Sequence, residues 1–346
     1  MMIAEAMMPL APMAVAALIL VTGSSTVCMA WVTAMYNSPG LKLNLARVSR
    51  VRTVTPPSRS GRYSAAMAAG TTQRYQAVLS ASPAVAVAEA TGLDGFKFDA
   101  GETQFLPNPA VLADGVLPNA YPDLYARWAL AHRGVEVRAG WFAQDVPIAF
   151  RQFDKDTAWG LDNGLASVLT QALAMGLIGY PFVLPDMVGG NEYGGKADDE
   201  LFVRWVQVNA LMPMIQFSVV PWRDTFGPQV LEITRRFADL RASFAPEFLR
   251  LADHAAATQE PIVRPLFFVF PHDDATYGIG DQFMLGERYL VAPVVVRGAV
   301  SRDVYLPEGS WRALDDPQEL HEGPVTLAGY PAPLARLPAF ERLFPK

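Results

Sequence analysis

The chain of 346 residues has little cysteine and little histidine: one Cys (Cys28) and four His. A single cysteine excludes an intrachain disulfide framework, and so few thiol and imidazole groups argue against a zinc site of the Cys/His type. No Asn-x-Ser/Thr glycosylation acceptor occurs in the chain. From these absences we expect no bound metal ion and no cofactor.

Basic residues are also scarcer than acidic ones, with 28 Lys plus Arg against 34 Asp plus Glu and a net charge of −6. An acidic balance argues against nucleic acid as a partner. Hydrophobic residues make up 51% of the chain, which is enough for a large buried core. Residues 1–75 hold seven basic residues and one acidic residue, so we place a domain boundary near residue 75.

The segment between Glu5 and Lys42 carries no charged residue. Its apolar run is long enough for a membrane helix, so one interpretation is membrane association through residues 7–35, with a membrane or secretory location. The other interpretation is an apolar arm with no membrane role, since no basic residue precedes the run as in a signal peptide. Residues 37–73 are rich in Ser, Pro, Gly and Arg and predict a linker.

From residue 76 onward, strand-like and helix-like segments alternate, which is typical of a parallel sheet. The predicted helices are 77–89, 119–133, 161–178, 198–212 and 228–255, and the predicted strands are 95–99, 135–142, 149–154, 181–186 and 214–220. After about residue 260 only strand-like segments remain, at 264–271, 282–296, 303–306 and 311–314. We therefore divide this part of the chain into domains at 76–260 and 261–346.

The spacing of these segments predicts part of a β/α barrel. A barrel of eight units takes about 250 residues, and residues 95–261 hold five strand–helix pairs at that spacing. We expect an α/β fold made of a partial (β/α)8 TIM-type barrel (strands 4–8) followed by a small all-β sandwich domain. The first half of the barrel is expected to be mostly absent from this chain.

Three predicted strands end in an aspartate: Asp99, Asp154 and Asp186. A carboxylate at the end of an apolar strand is costly unless it is paired or functional. Two such groups suit glycoside hydrolysis, in which one attacks the anomeric carbon and the other gives a proton to the leaving oxygen. The alternative is that each aspartate caps a helix or pairs with a nearby Arg or Lys.

Two longer motifs carry a resemblance to a known family. Asp94–Glu102 resembles the nucleophile motif of the family 31 glycoside hydrolases, and Gly179–Asn191 resembles a strand-and-loop motif of the same family. The lysine in the first motif, together with Phe153–Trp159 and Gln216–Arg223, looks most like the branch of the myogenesis-regulating glycosidases. The resemblance covers about residues 76–346.

The resemblance implies that Asp99 is the nucleophile of a retaining α-glycosidase and that Asp154 is its general acid/base. Asp156 is the rival proton donor, although a solvated loop acid is the other interpretation. Arg138, 16 residues before Asp154, matches a sugar-binding arginine of the family. It would hydrogen-bond a sugar hydroxyl and compensate nearby carboxylate charge, and its alternative role is an ordinary ion pair.

Three further residues are candidates for substrate binding. Lys97 alternates with Asp99 on one face of the strand and would hold it ionised, unless it forms a structural salt bridge. Asp186 would lie at the rim of the pocket or, alternatively, pack against the turn at Gly189–Gly190. Trp222 would line the sugar site, although an aromatic side chain is also typical of a core.

The predicted substrate is a carbohydrate, an α-glycoside. Many family members have a histidine in the segment equivalent to 214–220, and this chain has none there. Together with the resemblance to the branch above, this favours α-galactosides over α-glucosides. The alternative function is a catalytically incomplete, glycosidase-like fragment that binds a sugar or a protein. The sequence leaves the oligomeric state open.

Overall fold

The computed structural model of the chain describes four stretches in full and the backbone of three short strands upstream of them. The four stretches are residues 97–99, 101–106, 117–130 and 134–344, and Phe96 is described by its backbone alone. The chain forms two compact units, and in the described stretches the boundary falls between Phe153 and Asp154. The domain boundary predicted at residue 260 lies inside the second unit, and the helix predicted at 77–89 lies outside the described residues.

Two paired strands, β1 (Ala17–Gly23) and β2 (Thr26–Val32), form in the uncharged segment for which a membrane helix was one interpretation. Both contain β-branched residues, which favour an extended backbone. Among the residues that the structure describes, no helix is long and apolar enough to cross a bilayer.

The first unit contains short parallel strands, each hydrogen-bonded to the next. They are β3 (Thr53–Val54), β4 (Phe96–Phe98), β5 (Val135–Val137) and β6 (Ala149–Arg151). Helix α1 (Tyr121–Ala129) lies between β4 and β5 in the chain, which is the βαβ arrangement of a barrel. The predicted α/β fold is thereby confirmed. Strand β3 corrects one expectation, because it lies within the residues that we predicted to be a linker.

Aromatic packing holds α1 against the end of β4. The ring centroid of Phe98 lies 4.9 Å from that of Trp128 and 6.2 Å from that of Tyr125, both edge-on. Gly101 has a φ of 97°, and a Cβ there would lie 2.4 Å from the Tyr125 ring, so only glycine fits this turn. The turn places Asp99 at the carboxyl end of the strand, where barrels carry active-site residues.

The second unit begins with helices around one short strand. They are α2 (Leu165–Leu177), β7 (Val183–Leu184), α3 (Asp199–Ala210), α4 (Pro228–Ser243) and α5 (Ala245–Thr258). Helices α2 and α3 confirm two predictions with shorter ends. The single helix predicted at 228–255 is wrong, since Pro246 lacks an amide hydrogen and starts a new helix after Phe244.

The strand predicted at 214–220 is also wrong, because this segment is irregular. The guanidinium group of Arg241 donates hydrogen bonds to the carbonyl oxygens of Ala210, Met212 and Pro213 at 2.5–3.1 Å. These carbonyls lie just before the segment, so the backbone that leads into it takes its donors from α4. The amide of Val188 adds one bond to the carbonyl of Gln216 at 3.0 Å.

The C-terminal part consists mainly of strands, as predicted, and these strands form one antiparallel sheet in the order β12-β11-β13-β10-β9-β8. The strands are β8 (Val263–Arg264), β9 (Phe283–Leu285), β10 (Tyr289–Val291), β11 (Ser301–Ala313), β12 (Leu320–Pro331) and β13 (Ala339–Leu343).

Four strand predictions in this part need correction. The strand predicted at 282–296 is two antiparallel strands, β9 and β10, with Gly286 in the turn between them. The strands predicted at 303–306 and 311–314 are parts of the single strand β11. The pairing register of β11 with β12 shifts between Leu306 and Gly309, and Gly309 has a φ of 134°. The strand predicted at 264–271 ends at Arg264, and Leu266–Val269 form a helical turn. Strands β12 and β13 were not predicted. The buried side chains of this sheet form a hydrophobic cluster that includes Leu306 and Trp311 of β11 and Phe340 of β13.

Candidate active site

Two arginines hold one oxygen of Asp99. Arg138 Nη1 lies 3.4 Å and Arg151 Nη2 lies 3.3 Å from Asp99 Oδ1, and the Asp99 side chain is 30% exposed. Within the described residues, no side chain makes a hydrogen bond or ion pair with Asp99 Oδ2. The two cations compensate the carboxylate charge from one side, which leaves Oδ2 available to a substrate.

Arg151 is a site residue that the sequence analysis missed. Its Nε lies 3.2 Å from Oε1 of Glu136 on the neighbouring strand, and the two side chains are 1% and 2% exposed. A buried Arg is therefore placed between the buried Glu136 and the partly exposed Asp99. The signal was present in the sequence, since two short apolar strands each carry one charged residue of opposite sign.

Arg138 meets part of its prediction. Besides Asp99, its Nε lies 2.7 Å from Glu102 Oε1, so it compensates two carboxylates. Its guanidinium carbon lies 5.1 Å from the ring centroid of Phe153 and 6.0 Å from that of Phe105, which are cation–π distances. Its contact with a sugar hydroxyl stays a prediction.

The cations that pair with Asp99 are Arg138 and Arg151, whereas the sequence analysis expected Lys97. Lys97 is buried, and in the described part of the chain it makes no ion pair with Asp99. Arg138 directly follows β5, and Arg151 is the last residue of β6. The side chains of both arginines reach the Asp99 carboxylate. Neither the ionising contact nor the alternative salt bridge of Lys97 is found among these residues.

Tyr125 fixes the backbone at Asp99. Its hydroxyl donates a 2.7 Å hydrogen bond to the Asp99 carbonyl oxygen. Burial raises the pKa of Tyr125, and the charges of Asp99 and Glu102 raise this pKa further. Tyr125 therefore remains a neutral donor at physiological pH.

In the second unit, Asp154 is hydrogen-bonded through both its side chain and its backbone. The hydroxyl of Tyr193 donates to Asp154 Oδ2 at 2.9 Å, and the side-chain amide of Asn163 donates to the Asp154 carbonyl oxygen at 2.8 Å. Gly164 closes this turn, because a Cβ there would lie 2.5 Å from the carbonyl oxygen of Ala158. The rival donor Asp156 is exposed on the same turn.

Asp186 is not at a pocket rim, which corrects its predicted role as a substrate ligand. It is fully buried, and its Oδ2 accepts hydrogen bonds from the Lys155 amide at 2.6 Å and from the Asn191 side chain. Gln216 Nε2 lies 3.5 Å from its other oxygen. A buried carboxylate must be satisfied by protein donors. Asp186 thus orients the chain next to Asp154.

Trp222 is exposed on a turn whose next residue, Arg223, pairs with Glu192 at 2.6 Å. This exposure leaves its role in sugar binding as a prediction. In the described stretches, no group of three or more His, Cys, Asp and Glu side chains is arranged to hold a metal ion.

Two domain models of one family match the chain. The model of the glycosyl hydrolases family 31 TIM-barrel domain matches residues 142–251. The model of the glycosyl hydrolase family 31 C-terminal domain matches residues 259–343. The barrel-domain match precedes the match of the C-terminal domain, which is the domain order predicted from the sequence.

Individual relatives agree with these matches. The chain is 40% identical over 260 residues to the myogenesis-regulating glycosidase of Mus musculus, covering 71% of this chain and 36% of that protein. It is 37% identical over 169 residues to an alpha-glucosidase of Hordeum vulgare, covering 47% and 18% of the two chains.

Among solved structures, a GH31 family sulfoquinovosidase from E. rectale with an aza-sugar inhibitor superposes with a TM-score of 0.67 at 26% identity, covering 78% of this chain and 43% of that one. The chain spans less than half of the length of each of these relatives. From the two domain matches, the relatives and the shared fold, we conclude that the chain belongs to glycosyl hydrolase family 31.

Proposed function

We propose that the protein is a retaining α-glycosidase in which Asp99 is the nucleophile and Asp154 is the general acid/base. The observation that carries this proposal is the pairing of both Arg138 and Arg151 with Oδ1 of Asp99. A nucleophilic carboxylate must be ionised and must keep one oxygen accessible, and this arrangement supports both requirements. Membership of a family whose named relatives include glycosidases supports the reaction class.

The reaction would proceed in two steps. In the first, Asp99 Oδ2 forms a bond to the anomeric carbon while the bond to the leaving oxygen breaks, and Asp154 transfers its proton to that oxygen. In the second, Asp154 takes a proton from water, the water oxygen attacks the anomeric carbon, and the bond to Asp99 breaks. Two displacements restore the starting configuration, and the Asp154 proton is returned.

The substrate would be an α-glycoside held in part by Arg138 and Trp222. The lack of a histidine in residues 214–220 favours an α-galactoside. The relative named alpha-glucosidase favours an α-glucoside instead. A direct comparison of the two sugars on the same chain separates these alternatives.

The test uses the purified full chain with 4-nitrophenyl α-galactoside and α-glucoside, beside Asp99→Asn and the matched control Asp156→Asn. We expect wild-type and Asp156→Asn protein to release nitrophenol and Asp99→Asn to lose at least about 1,000-fold in rate. A 5-fluoroglycosyl fluoride should add one glycosyl mass to the peptide that contains Asp99. Equal rates in wild type and Asp99→Asn, or a label on another peptide, would refute the assignment.

A second candidate function is a binding module for a sugar or a protein. The observation that favours it is coverage, since the match spans 36% of the mouse relative. Titration calorimetry with galactose and glucose measures this function without turnover. Binding by both wild type and Asp99→Asn, with no hydrolysis by either, would favour the module over the enzyme.

A further inference from the structure

We propose that Tyr193 is a positioning residue for the acid/base carboxyl group, because its hydroxyl donates to Asp154 Oδ2 and so orients this group. This inference rests on the proposed role of Asp154. The distance from Tyr193 Oη to Asp154 Oδ2 is 2.9 Å, which is an ordinary hydrogen-bond length. The hydroxyl is the donor and the carboxyl oxygen is the acceptor.

The loop that carries Tyr193 is fastened to the segment that follows Asp154. The backbone amide of Asn191 donates to the Lys155 carbonyl oxygen at 2.9 Å, and its side-chain amide donates to the same oxygen at 3.1 Å. Gly190 lies against Asp156, where a Cβ would be 2.7 Å from the carbonyl oxygen, and its φ is 78°. Only glycine permits so close an approach.

Glu192 fastens the loop on its other side. Its amide donates to Thr157 Oγ1 at 2.9 Å, and its carboxylate accepts two hydrogen bonds from Arg223 at 2.6 and 2.7 Å. Glu192 itself has a φ of 56°, an uncommon conformation for a residue with a side chain. The residue directly before Tyr193 is thus held at its backbone and at its side chain.

Packing does not explain where Tyr193 lies, because the residue is 73% exposed. An exposed aromatic ring that reaches a carboxylate from a loop fixed at two positions indicates a polar role. A carboxylic acid carries its proton on one oxygen and accepts with the other. With Oδ2 bonded to Tyr193, the orientation of the Asp154 carboxyl group is restricted, and loss of this bond should disturb proton transfer to the leaving oxygen.

Other charged groups around Asp154 have their own partners. Lys155 Nζ donates to Gln171 Oε1 at 2.7 Å, and the Asp186 carboxylate accepts from the Lys155 amide. Asp156 is exposed on the next turn. Substitution of Tyr193 therefore changes one neutral donor and leaves these charges in place.

The first measurement needs no turnover. The pH dependence of carbodiimide-driven amidation of Asp154 is followed by peptide mass spectrometry in wild type, Tyr193→Phe and the control Tyr277→Phe. Tyr277 is also exposed, and its hydroxyl donates to the Pro271 carbonyl. Loss of a donor to the ionised carboxyl should move the Tyr193→Phe midpoint upward by about half a pH unit, or about threefold more labelling above the wild-type midpoint.

The second measurement compares two substrates whose leaving groups differ in how strongly they require a proton. Tyr193→Phe should lower kcat/KM for maltose about tenfold, because its alkoxide leaving group requires proton transfer, and should change the rate with α-glucosyl fluoride less than about twofold. An unmoved Asp154 midpoint, an equal shift in Tyr277→Phe, or equal losses on both substrates would overturn the role of Tyr193. A moved midpoint in a chain that hydrolyses neither these substrates nor 4-nitrophenyl α-galactoside would refute the glycosidase proposal while supporting the hydrogen bond.

Discussion

The buried ion pair between Glu136 and Arg151 tests how Asp99 is held. Glu136→Gln keeps the size of the side chain and one acceptor oxygen but removes its negative charge. Arg151 Nε lies 3.2 Å from Glu136, and its Nη2 lies 3.3 Å from Asp99. After the substitution, the positive charge of Arg151 is compensated mainly by Asp99, although Asp99 is the more exposed of the two acids.

The expected cost follows from this burial. Removing one partner of a buried ion pair costs about 3–5 kcal/mol, and because glutamine keeps an acceptor and Asp99 remains, we expect about 2–3 kcal/mol. This loss should appear as a lower free energy of local opening in β5 and β6. If the guanidinium group moves toward Asp99, the nucleophile is displaced, and kcat/KM should fall at least about tenfold.

Native-state amide exchange, read by mass spectrometry, measures the opening of β5 and β6 directly. The matched control is Glu247→Gln, which removes a solvent-accessible ion pair with Arg250 at 2.7 Å. An exposed i,i+3 pair contributes about 0.5 kcal/mol or less, so the control should leave exchange in β5 and β6 unchanged. If Glu136→Gln changes neither exchange in these strands nor kcat/KM, the proposed support of Asp99 through Arg151 is wrong.

Three further changes have defined outcomes. Arg241→Met leaves three buried carbonyl groups without their donor and should lower the free energy of unfolding by about 3 kcal/mol in urea titrations, with Arg241→Lys no better than Met. Gly190→Ala should lower thermal stability and activity together, since its Cβ would meet a carbonyl oxygen at 2.7 Å. Burial raises the pKa of Glu192, but the hydrogen bonds from Arg223 and the Ala197 amide, together with the charges of Arg223 and Lys196, lower it more in sum, and the net pKa lies below the ordinary 4.5. This contribution to stability is therefore present above pH 4.5 and is lost as the pH falls through the folded value, so Glu192→Gln should flatten the acid limb of stability, whereas exposed Glu308→Gln should not.

The sequence predicted elements that depend on local patterning. The helical spacing of apolar residues at 161–178 corresponds to α2, which is buried along one face. The helix predicted at 198–212 corresponds to α3, which is buried on all sides from Leu201 to Ala210. The strand at 214–220 failed for a nonlocal reason. The backbone that leads into it, at residues 210–213, is bonded by Arg241, 28 or more residues away, and the Gln216 carbonyl within it accepts from the Val188 amide. No local periodicity records such contacts.

The same distinction applies to the site. Asp99, Asp154 and Arg138 could be recognised from motifs or spacing in the sequence, whereas Arg151, the second cation at Asp99, could not. Arg151 is 52 residues from Asp99 in the chain, and only the parallel pairing of β4, β5 and β6 brings the two together. Lys97, the nearest cation in sequence, was therefore the wrong choice of partner for Asp99.

The three aspartates at strand ends differ in their donors, not in their sequence context. Asp99 meets two guanidinium groups on one oxygen, Asp154 meets a neutral phenol, and Asp186 is buried with protein donors on both oxygens. Cations favour a carboxylate that stays ionised, and a neutral donor is compatible with a group that gains and loses a proton. A carboxylate surrounded by protein donors can only position its neighbours. Asp186 therefore positions its neighbours, and the contacts of Asp99 and Asp154 support the roles that we propose for them.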